Sequence, residues 1–293
     1  MKVINTIGYY LVLFLFRIIT LLPIKVAFLI SEVLTLFIFH IIGYRKKVIY
    51  LNLRNSFPDK SDIEIKYIAK KYYRHLSVMI VENVYLRFIS NKDIKNRLIL
   101  ENKELFDNLY KAKKNIIIML GHLGNWEFAG GLSYIIDYKG IAVYKKLSSD
   151  IFDKIYFDIR KRVGVEPIEM KNILRSIVKL NLESKPYMLF MVADQAPNEN
   201  SIWISFLNQD TDVFTGSEKL AKKFDMPVVY LDVIRHKKGV YRLTPHLITE
   251  NPKTTTNYYI TKQYFKLLET SINKNTRYWL WSHRRWKHIK PNK

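Results

Sequence analysis

One short run holds the densest chemistry in the chain: Gly121, His122, Leu123, Gly124, Asn125, Trp126 and Glu127 stand where one apolar stretch ends and another begins. Reactive side chains gather at the ends of strands in α/β sheets. An imidazole titrates near neutral pH, so His122 can take up a proton during a reaction. A carboxylate on its other ring nitrogen would fix the tautomer and stabilise the imidazolium. Glu127 is near enough in sequence to be that carboxylate if the turn through Gly124 and Asn125 folds tightly. Such a pair is a base without an enzyme nucleophile, and the attacking group would be a hydroxyl on an acceptor substrate. A histidine near a glutamate is also common in proteins that do no chemistry, and metal sites use the same residue types. No second His or carboxylate stands at a helix-facing ligand spacing here, so no metal is expected, and no cofactor is implied. The chain has no cysteine, which excludes a disulfide framework, a thiolate zinc site and a Cys nucleophile together.

The elements that must position these residues read as one α/β domain. Residues 115–120 form a short apolar run rich in β-formers, followed by a Gly-containing turn; 187–193 are a second such strand and 227–233 a third. Asp194 and Gln195 follow the second strand directly. Lys237, Lys238 and Gly239 read as a hairpin turn between 228–234 and 240–247. Between 60 and 91, charged and apolar residues interleave at helical spacing, with Ser61 and Glu64 as a capping-box start. Thr215 and Glu218 offer a second capping box for a helix carrying Leu220, Ala221 and Phe224.

The first 44 residues are the least soluble part. Residues 3–16 are uncharged and apolar; Arg17, Pro23 and Lys25 interrupt a pattern that then resumes through Phe39 and Gly43. A span needs about 20 apolar residues, and three arrangements stay open: a single span with Arg17 snorkelling, two helices in the membrane interface broken at Pro23, or a buried amphipathic helix pair in a soluble protein. No small-residue cleavage site follows the apolar run, which argues against a removed signal peptide. Arg45, Lys46 and Lys47 come next, and basic flanks favour the cytoplasmic side. Overall, 48 Lys and Arg against 26 Asp and Glu give a net charge of +22. That field favours anionic partners, among which composition alone does not separate nucleic acid, anionic lipid and an acidic carrier protein.

Several blocks, taken in order, resemble the lipid A biosynthesis acyltransferases of the lauroyl/myristoyl type. Tyr44 to Lys47 leading to Asn52, Leu53, Arg54, Asn55, Ser56, Phe57 and Pro58 are similar to that family's juxtamembrane segment. His122 to Glu127 match its H-x-x-x-x-E motif. Arg160, with Arg162 alongside, matches its arginine, and Asp194–Gln195 its Asp-Gln at a strand end. The run Trp279, Leu280, Trp281, Ser282, His283, Arg284, Arg285, Trp286, Lys287 is similar to its terminal W-x-W-x-H-R-R-W-K signature.

The resemblance implies transfer of a fatty acyl chain from an acyl carrier protein thioester, with acyl-CoA as the other donor, to a hydroxyl of a lipid A precursor. His122 would be the general base and Glu127 its orienting partner. Arg160 would stabilise the developing oxyanion or hold an acceptor phosphate. Arg162, Asp194, Gln195, Arg284 and Arg285 would serve substrate binding, and Trp281 to Lys287 would sit at the membrane interface. From Arg277 to Lys293 every charged residue is basic. The expected fold is a single α/β domain over 45–293, a central mixed sheet flanked by helices of the glycerolipid-acyltransferase kind, behind membrane anchor helices over 1–44 at the cytoplasmic face of a bacterial inner membrane. Tyr144, Lys145 and Lys146, and Leu207 and Asn208, depart from the family's pattern at places expected near the substrate pocket, so acceptor and acyl length stay open. Rival readings are an acyltransferase for a glycerophospholipid, aminolipid or glycolipid, and a non-catalytic protein that grips membranes or nucleic acid by charge. Nucleic acid is not the expected partner.

Overall fold

The computed structural model describes residues 3–197 and 201–291; Lys293, the last of the C-terminal basic residues, lies outside them. Two apolar helices come first, α1 (Val3–Leu21) and α2 (Ile24–Leu36). They are divided at Pro23, which supplies no N–H to continue the first helix. Tyr85 caps the break, its hydroxyl donating to the carbonyls of Ile19 and Leu22 at 3.0 and 2.6 Å. A π-helical turn over Phe37–Ile42 extends α2 to Gly43, whose φ of +61° reverses the chain. The helical run Ile24–Ile42 is long and apolar enough to cross a membrane. Its middle residue tells against that path. Glu32 pairs with Arg74 at 3.3 Å and with Lys238 at 3.2 Å, both in the body of the protein. Three charges at the centre of a bilayer would be costly.

The body continues with α3 (Lys46–Ser56), α4 (Asp62–Leu86), α5 (Asn91–Asn96), β1 (Leu98–Leu100), α6 (Lys103–Lys111) and β2 (Ile116–Leu120). A 3₁₀ stretch (Trp126–Tyr134) leads to β3 (Lys139–Tyr144), α7 (Asp150–Arg162), β4 (Val165–Glu169), α8 (Ile173–Leu180) and β5 (Tyr187–Val192). A hairpin of β6 (Ser201–Phe206) and β7 (Gln209–Phe214) follows, then α9 (Gly216–Phe224), β8 (Val228–Lys237), β9 (Val240–Thr249) and α10 (Tyr259–Lys274). The Ser61–Glu64 capping box forms as expected at the start of α4. The second does not: the Glu218 carboxylate accepts instead from the backbone N–H and hydroxyl of Thr261, at 3.0 and 2.7 Å, tying α9 to α10.

The main sheet runs β1-β9-β8-β2-β5-β3-β4. Five neighbouring strands, β8, β2, β5, β3 and β4, are parallel, and β9 returns antiparallel to β8. The sheet is therefore mixed, flanked by helices, as expected. β2 lies between parallel neighbours and is buried at every position, which is why Ile116–Leu120 reads as an unbroken apolar run. Alternate residues feed two layers: Ile117, Met119, Leu189 and Met191 meet α4, α8, α9 and α10, while Ile118, Leu120, Met188 and Phe190 meet α1, α6 and α7.

Arg284 and Lys287 of the C-terminal signature are exposed, but its tryptophans and Arg285 turn inward. Trp279 and Trp281 are buried in the first layer, and Arg285 is fully buried. Arg285 donates to the Asp212 carboxylate at 3.2 Å and to the Asp212 carbonyl at 2.5 Å, so it secures the β6–β7 hairpin and offers nothing to a substrate. Buried guanidinium is tolerated only when paired in this way. Leu207 and Asn208 form the tip of the same hairpin with φ of +49° and +60°. Asn208 there donates to the Ser56 carbonyl, and neither residue lines the cavity beside His122.

Candidate active site

Parallel pairing of β2 with β5 matches Leu120 to Val192, and the Ala193 N–H continues the ladder to the Leu120 carbonyl at 3.1 Å. Two residues beyond that matched pair on each strand, His122 stands beside Asp194. Its backbone N–H donates to Oδ2 at 2.8 Å and its Nδ1 lies 2.5 Å from Oδ1. The Trp279 indole N–H also donates to Oδ2, at 2.8 Å. Burial alone would raise the Asp194 pKa. The His122 charge, the ring and backbone N–H groups and the indole outweigh it and bring it down to about 2. An ionised carboxylate only accepts, so Nδ1 carries the ring proton and Nε2 carries the lone pair. Nε2 faces the Gln195 side-chain amide at 3.1 Å, and the ring packs edge-on against Trp126 with centroids 4.6 Å apart.

Glu127 is not on the ring. Its carboxylate receives two hydrogen bonds from Arg160, at 3.2 Å from Nε and 2.9 Å from an Nη. The turn between His122 and Glu127 does not fold back. Gly124, at φ +64°, donates its N–H to the Tyr278 carbonyl at 3.0 Å, and a Cβ there would lie 2.1 Å from the Val233 carbonyl. Asn125 is buried and donates to Glu82 and Asn83 of α4 at 3.2 and 2.9 Å. The His75 ring reaches the Gly124 carbonyl at 3.1 Å. These contacts carry the chain outward into the 3₁₀ stretch, which aims Glu127 at α7.

Arg160, in the last turn of α7, sits over the Tyr144 and Tyr156 rings at 5.2 and 5.8 Å. Burial opposes its charge, but Glu127 more than offsets this, so its pKa lies above the ordinary guanidinium value. His122, Glu127, Arg160 and Gln195 all line one cavity of about 750 Å³. Its floor is apolar, with Leu120, Ala129, Ala142, Val163, Val165 and Phe190, and Tyr144, Lys145, Lys146 and Met170 also line it. Asp194 reaches this space only through His122.

Two other expected site residues lie elsewhere. Arg162 donates to the Ile89 carbonyl at 2.6 Å, and Arg284 is exposed; neither lines the cavity. Sequence reading missed the Trp279 indole on Asp194, the tyrosine cradle under Arg160, and the buried His75, Glu82 and Asn83 that hold the turn. Asn125, a polar residue inside an apolar context, was the one local signal for the last of these. Among the described residues no group of His, Asp and Glu side chains is arranged to hold a metal.

The protein is an acyltransferase. Residues 1–288 match the bacterial lipid A biosynthesis acyltransferase family, and the chain belongs to it. The solved 1-acyl-sn-glycerophosphate (LPA) acyltransferase PlsC from Thermotoga maritima is similar at 12% identity over 87% of this chain and 98% of that one, with a TM-score of 0.37. No curated protein sequence matches the chain.

Proposed function

We propose that the protein moves a fatty acyl chain from an acyl carrier protein thioester to a hydroxyl of a lipid A precursor at the cytoplasmic face of the inner membrane. His122 acts as general base, and Asp194, in place of Glu127, orients it. The observation that carries this reading is the His122 ring held by a buried carboxylate on Nδ1 while Nε2 opens on the cavity. The acceptor hydroxyl displaces the Gln195 amide, gives its proton to Nε2, and its oxygen attacks the thioester carbonyl carbon. The tetrahedral intermediate collapses with cleavage of the C–S bond, and the Nε2 proton passes to the departing sulfur, leaving ester and free thiol. Arg160, pinned by Glu127, lies on the same cavity wall to meet an acceptor phosphate or the developing oxyanion.

The outer faces of α1 and α2 support an interfacial anchor over residues 1–44, ahead of a catalytic body over 45–293. Ile7, Phe14, Leu29 and Val33 are all more than half exposed, while Tyr9, Ala27 and Phe28 are buried against the body. Supplying purified protein with acyl carrier thioester and a panel of acceptors tests the assignment. Acylation of a lipid A precursor is expected, and incorporation confined to a glycerol phosphate would exclude it.

Two variants probe the cavity. Ala142→Leu narrows its apolar floor and should shift preference toward shorter chains, by about tenfold in kcat/KM between donors differing by two carbons. A thioester length series checks this, and an unchanged profile would place the acyl chain elsewhere. Glu127→Gln leaves Arg160 largely buried without its counter-ion, and breaking a buried pair this way costs about 3–5 kcal/mol. The melting temperature should fall and the KM for acceptor rise, while kcat, set by the His122–Asp194 pair, falls far less than in Asp194→Asn. A loss of kcat as large as that would return Glu127 to the ring.

A further inference from the structure

We infer that the outer face of α8 is the docking surface for the acidic helix of the carrier protein that delivers the acyl thioester; this rests on the carrier-dependent reading above. Ile173, Ile177 and Leu180 of α8 are buried against the sheet. Leu174 and Val178, each one residue after a buried isoleucine, flank that buried side and are exposed by 49 and 60%; Met170, in the 3₁₀ turn before the helix, and Leu182, just beyond its end, are exposed by 41 and 86% and extend the apolar surface at its two ends. Beside Leu174 and Val178 runs a second row in the same register, Lys171, Arg175 and Lys179, all exposed. Residues four apart share a helix face, so the rows lie side by side. Lys171 is paired with Glu169 at 2.7 Å, whereas Arg175 and Lys179 make no ion pair with any described residue. At ~1.5 Å per residue the eight residues of α8 extend about 12 Å, roughly two turns of a partner helix.

An exposed apolar row on a single helix face marks an interaction site. The parallel cationic row selects an occupant with an apolar stripe flanked by carboxylates. Charge complementarity of this kind steers encounter and fixes register. An anionic bilayer is the other surface with that chemistry, but its place is along α1 and α2. α1 packs through Tyr9 with α7 on one face of the sheet, whereas α8 covers the other, in a layer that Leu34, Ile38 and Phe39 at the far end of the α2 run also join. Met170 joins the two functions: it extends the apolar surface and lines the cavity that holds His122 and Arg160. A carrier seated on α8 would thus present its thioester arm at the cavity mouth.

The test uses the full-length protein, with Arg175→Glu/Lys179→Glu and, separately, Leu174→Ser/Val178→Ser. Binding of holo acyl carrier protein is measured by titration without turnover, and turnover is measured with both carrier thioester and acyl-pantetheine. Both variants should weaken carrier binding and raise the KM for carrier thioester by about tenfold or more, with acyl-pantetheine turnover and binding to phosphatidylglycerol vesicles unchanged. A carrier with lysines in place of its helix acids should recover binding to the charge-reversed variant and lose it to the wild type. Unchanged carrier binding overturns the proposal, as does equal loss with both donors. Loss of vesicle binding with carrier binding intact would assign α8 to the bilayer. Carrier binding that depends on α8 in a protein that acylates no lipid A precursor would leave the docking surface standing and remove the acceptor assignment.

Discussion

Asp194→Asn should lower turnover by a factor on the order of 10⁴ with little change in KM, because the amide would hold the wrong tautomer of His122. The orientation of that amide follows from the existing bonds. Oδ2 of Asp194 accepts from both the His122 backbone N–H and the Trp279 indole, so the asparagine oxygen must take that place. Its NH₂ then occupies the position of Oδ1, against Nδ1 of the ring. Two donors cannot face each other, so Nδ1 gives up its proton, Nε2 takes it, and the base has no lone pair for the acceptor hydroxyl. Glutamine at Glu127 would have no such effect on the tautomer, and the contrast between the two variants in kcat is the measurement that assigns the carboxylates. An Asp194→Asn variant with full activity would remove the proposed base.

The same residue sets an acid limit on stability. Its folded-state pKa of about 2 lies below that of an exposed aspartate. Its contribution is therefore fully present above the unfolded value near 4 and is lost as pH falls through the folded value. That contribution amounts to about 2 kcal/mol, and chemical denaturation between pH 5 and pH 2 should show it in the wild type and not in Asp194→Asn.

The histidine was legible because its residue type and its position after an apolar strand are both local. Its partner was not, because the choice between Glu127 and Asp194 depends on which strands pair. Parallel pairing of β2 with β5 joins residues 72 apart, and no local pattern announces it. Nearness in sequence pointed to Glu127, whereas the glycine at φ +64° and the buried Asn125 send the chain the other way. The C-terminal signature misled for a related reason. A run of Trp, Arg and Lys has the composition of a membrane interface, but Asp212, from a distant hairpin, compensates Arg285 and lets it enter the core with Trp279 and Trp281, while Arg284 and Lys287 stay outside. Strands were easier, since burial on both faces leaves an unbroken apolar run that needs no partner to be recognised. The break at Pro23 was visible for the same local reason. The pairing of Glu32 with Arg74 and Lys238, which argues for helices lying on the surface, required the fold.

His122→Ala should reduce kcat by about 10²–10⁴, the usual contribution of a positioned general base, while the protein stays on membranes. Membrane association should survive because the exposed faces of α1 and α2, with Ile7, Phe14, Leu29 and Val33, make no use of the ring. The fold should survive as well, since the backbone N–H of residue 122 and the Trp279 indole still donate to the buried Asp194. Adding Asp194→Asn to His122→Ala should cost little more than His122→Ala alone. Asp194 acts through the ring, and groups that work as one unit do not lose activity additively. Multiplicative losses in the double variant would mean that Asp194 meets substrate directly. Activity retained in His122→Ala itself would move the chemistry away from the end of β2 altogether, leaving Arg160 and the cavity as a binding site in search of another base.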